Sequence, residues 1–343
     1  MDYIGWMEYK MMNDIRVSVV CLAYNHERYI RECLDSIVNQ VTTFKFEVVI
    51  NDDASTDNTA NIIREYEKRY PEKIKAIYQK DNQYSKGVAI IEEKMLGHVN
   101  GKYVAFCECD DKWTDLHKLQ RQYEYMELHP ECSMCVHNTV IHDLNGIERD
   151  RTFNSWSKEH ILNQDEVFID WKVHTSSYFV RRENAYRPPE FRKYWFGDYV
   201  RLTLAYTEGN VVSLPYIMSQ YNYGVSTGAL HAVDYSKLQE RKAQVLSRNE
   251  YLEKLNKKTE KKFNKIIDKR IRLTELEADT LHEGDVLKYS DDKSEIIRTV
   301  KKISKMKSYR RYISGLNGAE KIKETIRYKG YILYPLWVKI WKK

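Results

Sequence analysis

The 343-residue sequence contains no run approaching the ~18 consecutive apolar residues that a membrane-spanning helix requires, so no transmembrane segment is expected. It opens on MDYIGWMEYKMMND without an apolar stretch behind a basic start, which argues against a secretory signal peptide and points to the cytoplasm. The phosphate-binding fingerprints G-x-x-x-x-G-K-[ST] and G-x-G-x-x-G are both missing, which weighs against a P-loop enzyme and against a dehydrogenase. A large excess of charge of one sign is missing too. The net charge of +6, from 56 Lys+Arg against 50 Asp+Glu, is too mild to point to nucleic acid as a partner. There are only six cysteines, and although Cys107, Cys109, Cys132 and Cys135 superficially resemble a zinc set, the first pair is C-x-C. These thiols are expected to be reduced and packed as small hydrophobes.

With 42% hydrophobic residues the chain can bury a sizeable core. Its first half alternates two patterns. VSVVCLAYN, residues 17–25, is a short and mostly apolar run, as a strand covered on both faces should be. HERYIRECLDSIVNQ follows with apolar residues at helical spacing, at Ile30, Leu34, Ile37 and Val38. FEVVINDDAS repeats the strand pattern and stops in acid, and STDNTANIIREYEKRYP starts with good N-cap residues and keeps helical spacing until Pro71. KIKAIYQ predicts a third strand, GVAIIEEKMLGHV a helix and KYVAFCECDD a fourth strand. Strands alternating with helices predict an α/β fold with a mostly parallel sheet flanked by helices.

Two of these strands end in paired carboxylates, Asp52 with Asp53 and Asp110 with Asp111, the latter preceded by Glu108. A single acidic strand end reads easily as a helix cap. Two on one edge of a parallel sheet repel each other and call for a cation or hydrogen-bond donors, and ligands sit at this edge in open α/β sheets. Oxygen-rich clusters suit Mg²⁺ or Mn²⁺, which bind through carboxylates together with substrate phosphates. A nucleotide diphosphate is therefore the expected kind of ligand.

Three stretches in order, VSVVCLAYNHERYIRECLDSIVNQ, FEVVINDDASTDNT and GKYVAFCECDDKWTDLHKLQRQ, resemble family 2 glycosyltransferases, inverting enzymes with the GT-A fold that use nucleotide sugars. The resemblance spans about residues 17–226. It implies that Ala23, Tyr24 and Asn25 line the nucleotide pocket beside Asp52, that Asp53 bonds the uracil ring, and that Glu108, Cys109 and Asp110 stand where the metal-binding D-x-D motif would be. Asp110 would be the main ligand of Mn²⁺ or Mg²⁺, Glu108 would still offer a carboxylate, and Asp111 would lie near the donor sugar. In YWFGDYVRLTLAY, Asp198 opens an apolar-periodic helix and by itself reads as a cap. The resemblance makes it the general base. HTSSYFVRR resembles the strand supporting the acceptor pocket, with Thr175, Ser176 and nearby Trp195 as acceptor contacts and His174 as a structural residue. One departure is Asn222, which stands where many relatives carry an Arg near the diphosphate; His231 or a Lys is the candidate substitute.

The expected organisation is an N-terminal extension over 1–14, a GT-A domain over 15–230 with a nucleotide-binding half (15–111) and an acceptor half (112–230), and a charged helical region over 231–343. The last stretch, from Tyr309 on, interleaves aromatics with Lys and Arg, so contact with an anionic membrane surface competes with a solvated helical face. The expected activity is metal-dependent transfer from a UDP-sugar to a glycan or lipid-linked acceptor in surface polysaccharide synthesis, in the cytoplasm or at the inner face of the plasma membrane. A catalytically silent nucleotide-sugar-binding scaffold and a nucleotidyltransferase are the alternatives. The second would carry a Gly-rich, Lys-containing loop near the first strand, which CLAYNHERY does not supply.

Overall fold

Apolar β-branched runs and amphipathic segments sort into strands and helices in a computed structural model that describes residues 14–146, 150–225, 238–281, 283 and 293–322. Contacts divide the chain into two units, Met1–His231 and Ala232–Lys343. In the first unit β1 (Ile15–Ala23), α1 (Ile30–Val38), β2 (Lys45–Asp52), α2 (Thr59–Arg69), β3 (Ile74–Tyr78) and β4 (Tyr103–Phe106) follow one another. The two-residue β5 (Lys112–Trp113), then α3 (Lys118–Leu128), β6 (Cys132–Asp143), and the short β7 (Arg151–Thr152) and β8 (His160–Ile161) come next. The unit closes with α4 (Gln164–Phe168), β9 (Phe179–Arg181), α5 (Gly197–Glu208) and the long β10 (Asn210–Tyr223).

One sheet holds these strands in the order β3-β2-β1-β4-β9-β6-β10-β5. The pairs β3–β2, β2–β1, β1–β4 and β6–β10 are parallel, and β9 runs antiparallel to both its neighbours. Val17, Val19 and Cys21 of β1 pack with Ile30, Leu34 and Ile37 of α1 and Ile62 and Ile63 of α2 in one core. The Cα register of β1 runs in step with β2 from Val17↔Phe46 to Ala23↔Asp52, so their carboxyl ends finish side by side.

The expected helix in GVAIIEEKMLGHV is instead a π-helical turn, Ile91–Met95, followed by a 3-10 turn, Leu96–His98. Gly87, at φ +73, breaks the chain direction just before it. The widened turn carries Glu92 inward, where its carboxylate meets two arginines from distant elements.

All six cysteines are free and buried, as expected. Lys118 is a less expected core residue. It is 0% exposed, its Nζ donates to Gln122 Oε1 at 2.7 Å and lies 4.0 Å from the Trp113 ring centre, and burial lowers its pKa to about 7. The unfolded chain keeps this proton up to the ordinary value of 10.5. Between about pH 7 and 10.5 the unfolded state therefore holds more protons, and stability rises with pH by up to ~1.4 kcal/mol per unit from this group. Below pH 7 the penalty is full and constant. Chemical denaturation of Lys118→Met against wild type at pH 7, 8 and 9 should show the variant's relative stability falling stepwise with pH. A difference independent of pH would show that Lys118 is not depressed.

In the second unit α6 (Leu238–Lys258), α7 (Asn264–Asp279), α8 (Lys293–Lys305) and α9 (Lys307–Ser314) follow. Leu276, Ile303, Tyr312 and Leu316 form its small core, with Tyr309 packed against it. Those two tyrosines of the aromatic tail are thus engaged inside the unit, while residues 323–343, which carry most of the membrane-contact expectation, lie outside the described residues, as does His231. Among the described residues no helix is long and apolar enough to cross a membrane.

Candidate active site

The carboxyl ends of β1, β2 and β4 lie next to one another because these three strands are parallel neighbours. At the end of β1, Ala23 is buried, Tyr24 is 36% exposed, and Asn25 turns the chain at φ +55. The Asn25 backbone N–H donates to Ser55 Oγ at 2.9 Å, and its Oδ1 accepts from Thr56 N at 2.7 Å. Ala54, at φ +61, makes the matching turn after β2. Two residues other than glycine held in the left-handed region, in the loops that follow adjacent strands, show a loop pair fixed by its own hydrogen bonds.

Asp52 and Asp53 are both buried but in different states. Asp53 accepts backbone N–H groups from Gln83 (2.7 Å) and Tyr84 (3.0 Å), one on each oxygen, so its carboxylate pins the loop after β3. Each of its oxygens keeps a further lone pair, so the expected uracil contact is carried forward as a proposal. Asp52 keeps one buried oxygen, Oδ1, without a partner, and burial raises its pKa against the opposing bonds from Ser55.

After β4 the backbone continues beside β1, with Cys107 N–H donating to Val20 O and Cys109 N–H to Leu22 O. Alternation in this extended stretch turns both thiols into the core, with Cys107 Sγ 3.9 Å from Cys33 Sγ, and sends Glu108 and Asp110 the other way. Glu108, Asp110 and Asp111 converge, with ligand oxygens all within 4.8 Å of one another. Asp111 is 1% exposed; its Oδ1 accepts from Asn222 N at 3.1 Å, and its Oδ2 has no hydrogen-bond partner. Asn222 also donates through Nδ2 to Asp110 O at 2.6 Å, so the residue at the place of the missing Arg holds the acidic loop in shape.

Burial, then the neighbouring carboxylates Asp110 and Asp198, push the Glu108 carboxyl far above its usual range, against the charge of Arg201. Asp111 is raised by burial and by Asp110 and Glu108. Three crowded carboxylates, one with an orphaned buried oxygen, make an oxygen-rich donor set that fits a hard divalent cation. Glu108, Asp110 and Asp111 are the residues that would hold it, Asp111 being added to the pair expected from the sequence.

Asp198 is the second residue of α5, and the N-cap position is Phe196, which makes no side-chain cap bond. Asp198 Oδ1 accepts from Tyr199 N at 2.8 Å, and its charge acts on Glu108 and on the buried Tyr178 hydroxyl. Asp198 thus acts electrostatically on the cluster from the start of α5. Trp195, just before α5, is half-buried with its ring edge-on to Phe196. Ser176 is fully buried, and its hydroxyl donates to Ser219 Oγ and lies 2.9 Å from His174 Nδ1. Thr175 sits beside it in the same 3-10 turn and is also buried.

His174 stacks on Tyr221 at 4.3 Å with Nδ1 3.6 Å from Asp111 Oδ2, and burial lowers its pKa to about 3, so the ring is neutral. Sequence reasoning did not single out Tyr221, nor His26, whose Nε2 lies 3.8 Å from Asp110 Oδ2. The position of His26 directly after Asn25 in the first motif was the available signal. Nothing local marked Glu92, Arg187 or Arg201.

Residues 18–187 match the family model "Glycosyl transferase family 2". An uncharacterized protein of Mycobacterium tuberculosis is 39% identical over 171 residues, covering 50% of this chain and 48% of that protein. TuaG of Bacillus subtilis, described as a putative teichuronic acid biosynthesis glycosyltransferase, is 39% identical over 110 residues, 32% of this chain and 41% of that one. The chain thus spans about half the length of the curated relatives it matches. Among solved structures, residues 1–349 of S. aureus TarS in complex with UDP-GlcNAc superpose with a TM-score of 0.59 at 16% identity, over 94% of this chain and 89% of that one. By the domain at residues 18–187 and the sheet that carries its acidic strand ends, the chain belongs to glycosyl transferase family 2, with the GT-A fold.

Proposed function

We propose that this chain transfers a sugar from a UDP-sugar to a glycan or lipid-linked acceptor, with inversion at the anomeric carbon, in the synthesis of a cell-surface polysaccharide. The observation that carries the reading is the convergence of Glu108, Asp110 and Asp111 at the strand ends, with Asp198 acting on the same cluster. The description of TuaG supports the polysaccharide setting, and the UDP-GlcNAc bound to TarS supports the donor class.

In this reading the acceptor hydroxyl attacks the anomeric carbon from the face opposite the nucleotide. The bond from that carbon to the β-phosphate oxygen breaks, its electron pair leaves on UDP, and the hydroxyl proton passes to Asp198. A divalent cation, Mn²⁺ or Mg²⁺, supplies neutralisation of the leaving diphosphate when bound. Ala23, Tyr24, Asn25 and Asp52 shape the nucleotide side, with exposed Tyr24 offering a face for the base, while Asp53, which holds the 83–84 loop, meets the uracil ring through its remaining lone pairs. Thr175 and Trp195 flank the acceptor side in this reading. In this reading the protein works where UDP-sugars and lipid-linked acceptors meet, at the inner face of the plasma membrane.

The test is incubation of the full chain with a panel of UDP-sugars, Mn²⁺ and lipid-linked or glycan acceptors, reading UDP release and the anomeric configuration of the product. Release that depends on acceptor, with a β product from an α donor, is expected. Donor binding without turnover would mark a silent scaffold, and a product of retained configuration would refute inversion.

A further inference from the structure

Glu92, on the π-helical turn, is fully enclosed and paired with two arginines. Arg187 grips it bidentately, Nε to Oε1 and Nη2 to Oε2, both at 2.8 Å, and also donates through Nη1 to Tyr194 O at 3.1 Å. Arg201, on α5, donates to Glu92 Oε1 through Nη2 and to Ala185 O through Nε, with its guanidinium carbon 5.2 Å from the Phe106 ring centre. All three side chains are at most 7% exposed.

Burying three ions is costly, and Arg187 alone already satisfies both oxygens of Glu92. The second guanidinium leaves one positive charge in excess, and its location is informative. Phe106 is the last residue of β4, just ahead of the Glu108 loop, and Arg201 lies three residues after Asp198, one helical turn along α5. Its charge acts on Asp198 and Glu108. Even the residue before Asp198 is fitted to the pair: a Cβ on Gly197 would lie 2.9 Å from Arg187 Nη1 and 3.4 Å from Arg201 Nη1.

We infer that Arg201, anchored by Glu92 and Arg187, is a positioning residue for transfer: it fixes the first turn of α5 and gives Asp198 a buried positive counter-charge, so that Asp198 is held in place beside the metal-binding carboxylates. The inference rests on the reading of Asp198 as the base. Its chemistry is that of an arginine acting through a carboxylate, without contact to the substrate.

Five variants of the full chain, Arg201→Met, Arg201→Lys, Glu92→Gln, Asp198→Asn and the double Arg201→Met/Asp198→Asn, test it, each with kcat, donor KM and melting temperature. A misplaced reacting group costs ~10²-fold, so Arg201→Met should lower kcat by that order at near-normal donor KM and melting temperature. Arg201→Lys should recover most of the loss. In the Asp198→Asn background Arg201→Met should add little, because the group it serves is gone. Glu92→Gln, which loosens the anchor but keeps Arg201, should lower kcat in the same direction. Equal losses from Arg201→Met in both backgrounds, or no rescue by Lys, or a loss that follows melting temperature alone, would overturn the positioning role while leaving the base reading intact. Normal turnover by Asp198→Asn would overturn the base reading and this inference with it.

Discussion

Asp198→Asn should reduce transfer by ~10²–10⁴-fold, the usual contribution of a positioned proton acceptor. The substitution keeps the shape of the side chain and leaves an oxygen to accept the Tyr199 N–H, so α5 should start where it does now. UDP affinity with Mn²⁺ and the melting temperature should stay near wild type, because Asp198 neither caps α5 through its side chain nor belongs to the converging triad. Progress curves for UDP release, together with thermal melts, check this. Near-normal turnover would return Asp198 to a local role in the first turn of its helix.

Asp110→Ala should abolish the metal-dependent part of UDP binding. Removing even an outer partner of a metal site commonly costs about 10–100-fold in affinity, and loss of a ligand should cost more than ~10²-fold. The variant should still fold, since it relieves like-charge repulsion on Glu108 and Asp111, and the anchor from Asn222 is made to the Asp110 backbone oxygen, which alanine retains. Titration of Mn²⁺ followed by UDP into the variant reads the loss directly. Unchanged, metal-stimulated affinity would remove Asp110 from the site.

Much of this geometry is legible in the sequence where a residue's role follows from its own strand or helix. β1, β2 and β4 announce themselves because both faces are covered, so apolar residues run without alternation, and the acids that end the last two stand out against those runs. The C-x-C spacing around Glu108 likewise forecasts its alternation away from the core. What is not legible depends on partners brought from far along the chain. Glu92 meets Arg187 and Arg201 across 95 and 109 residues, and no local period shows that its turn opens to reach them. Asp53 ends its strand like any acidic residue there, and nothing near it announces that two backbone N–H groups some 30 residues on bond its oxygens. Ser176 carries a hydroxyl suited to a sugar, but its burial against Ser219 and His174 is set by β10, whose course its own neighbours do not reveal. Asn222 looks like the loss of an arginine and is in fact the clasp on the acidic loop.

In the proposed function, the acids that follow the β4 strand hold a divalent cation through which this chain binds a uridine diphosphate donor. Calorimetric titration of UDP into the full chain, with Mn²⁺ and again with a chelator, tests it most directly. Binding that is strong with Mn²⁺ and lost on chelation is the expected result, and equal affinity under both conditions would contradict the claim.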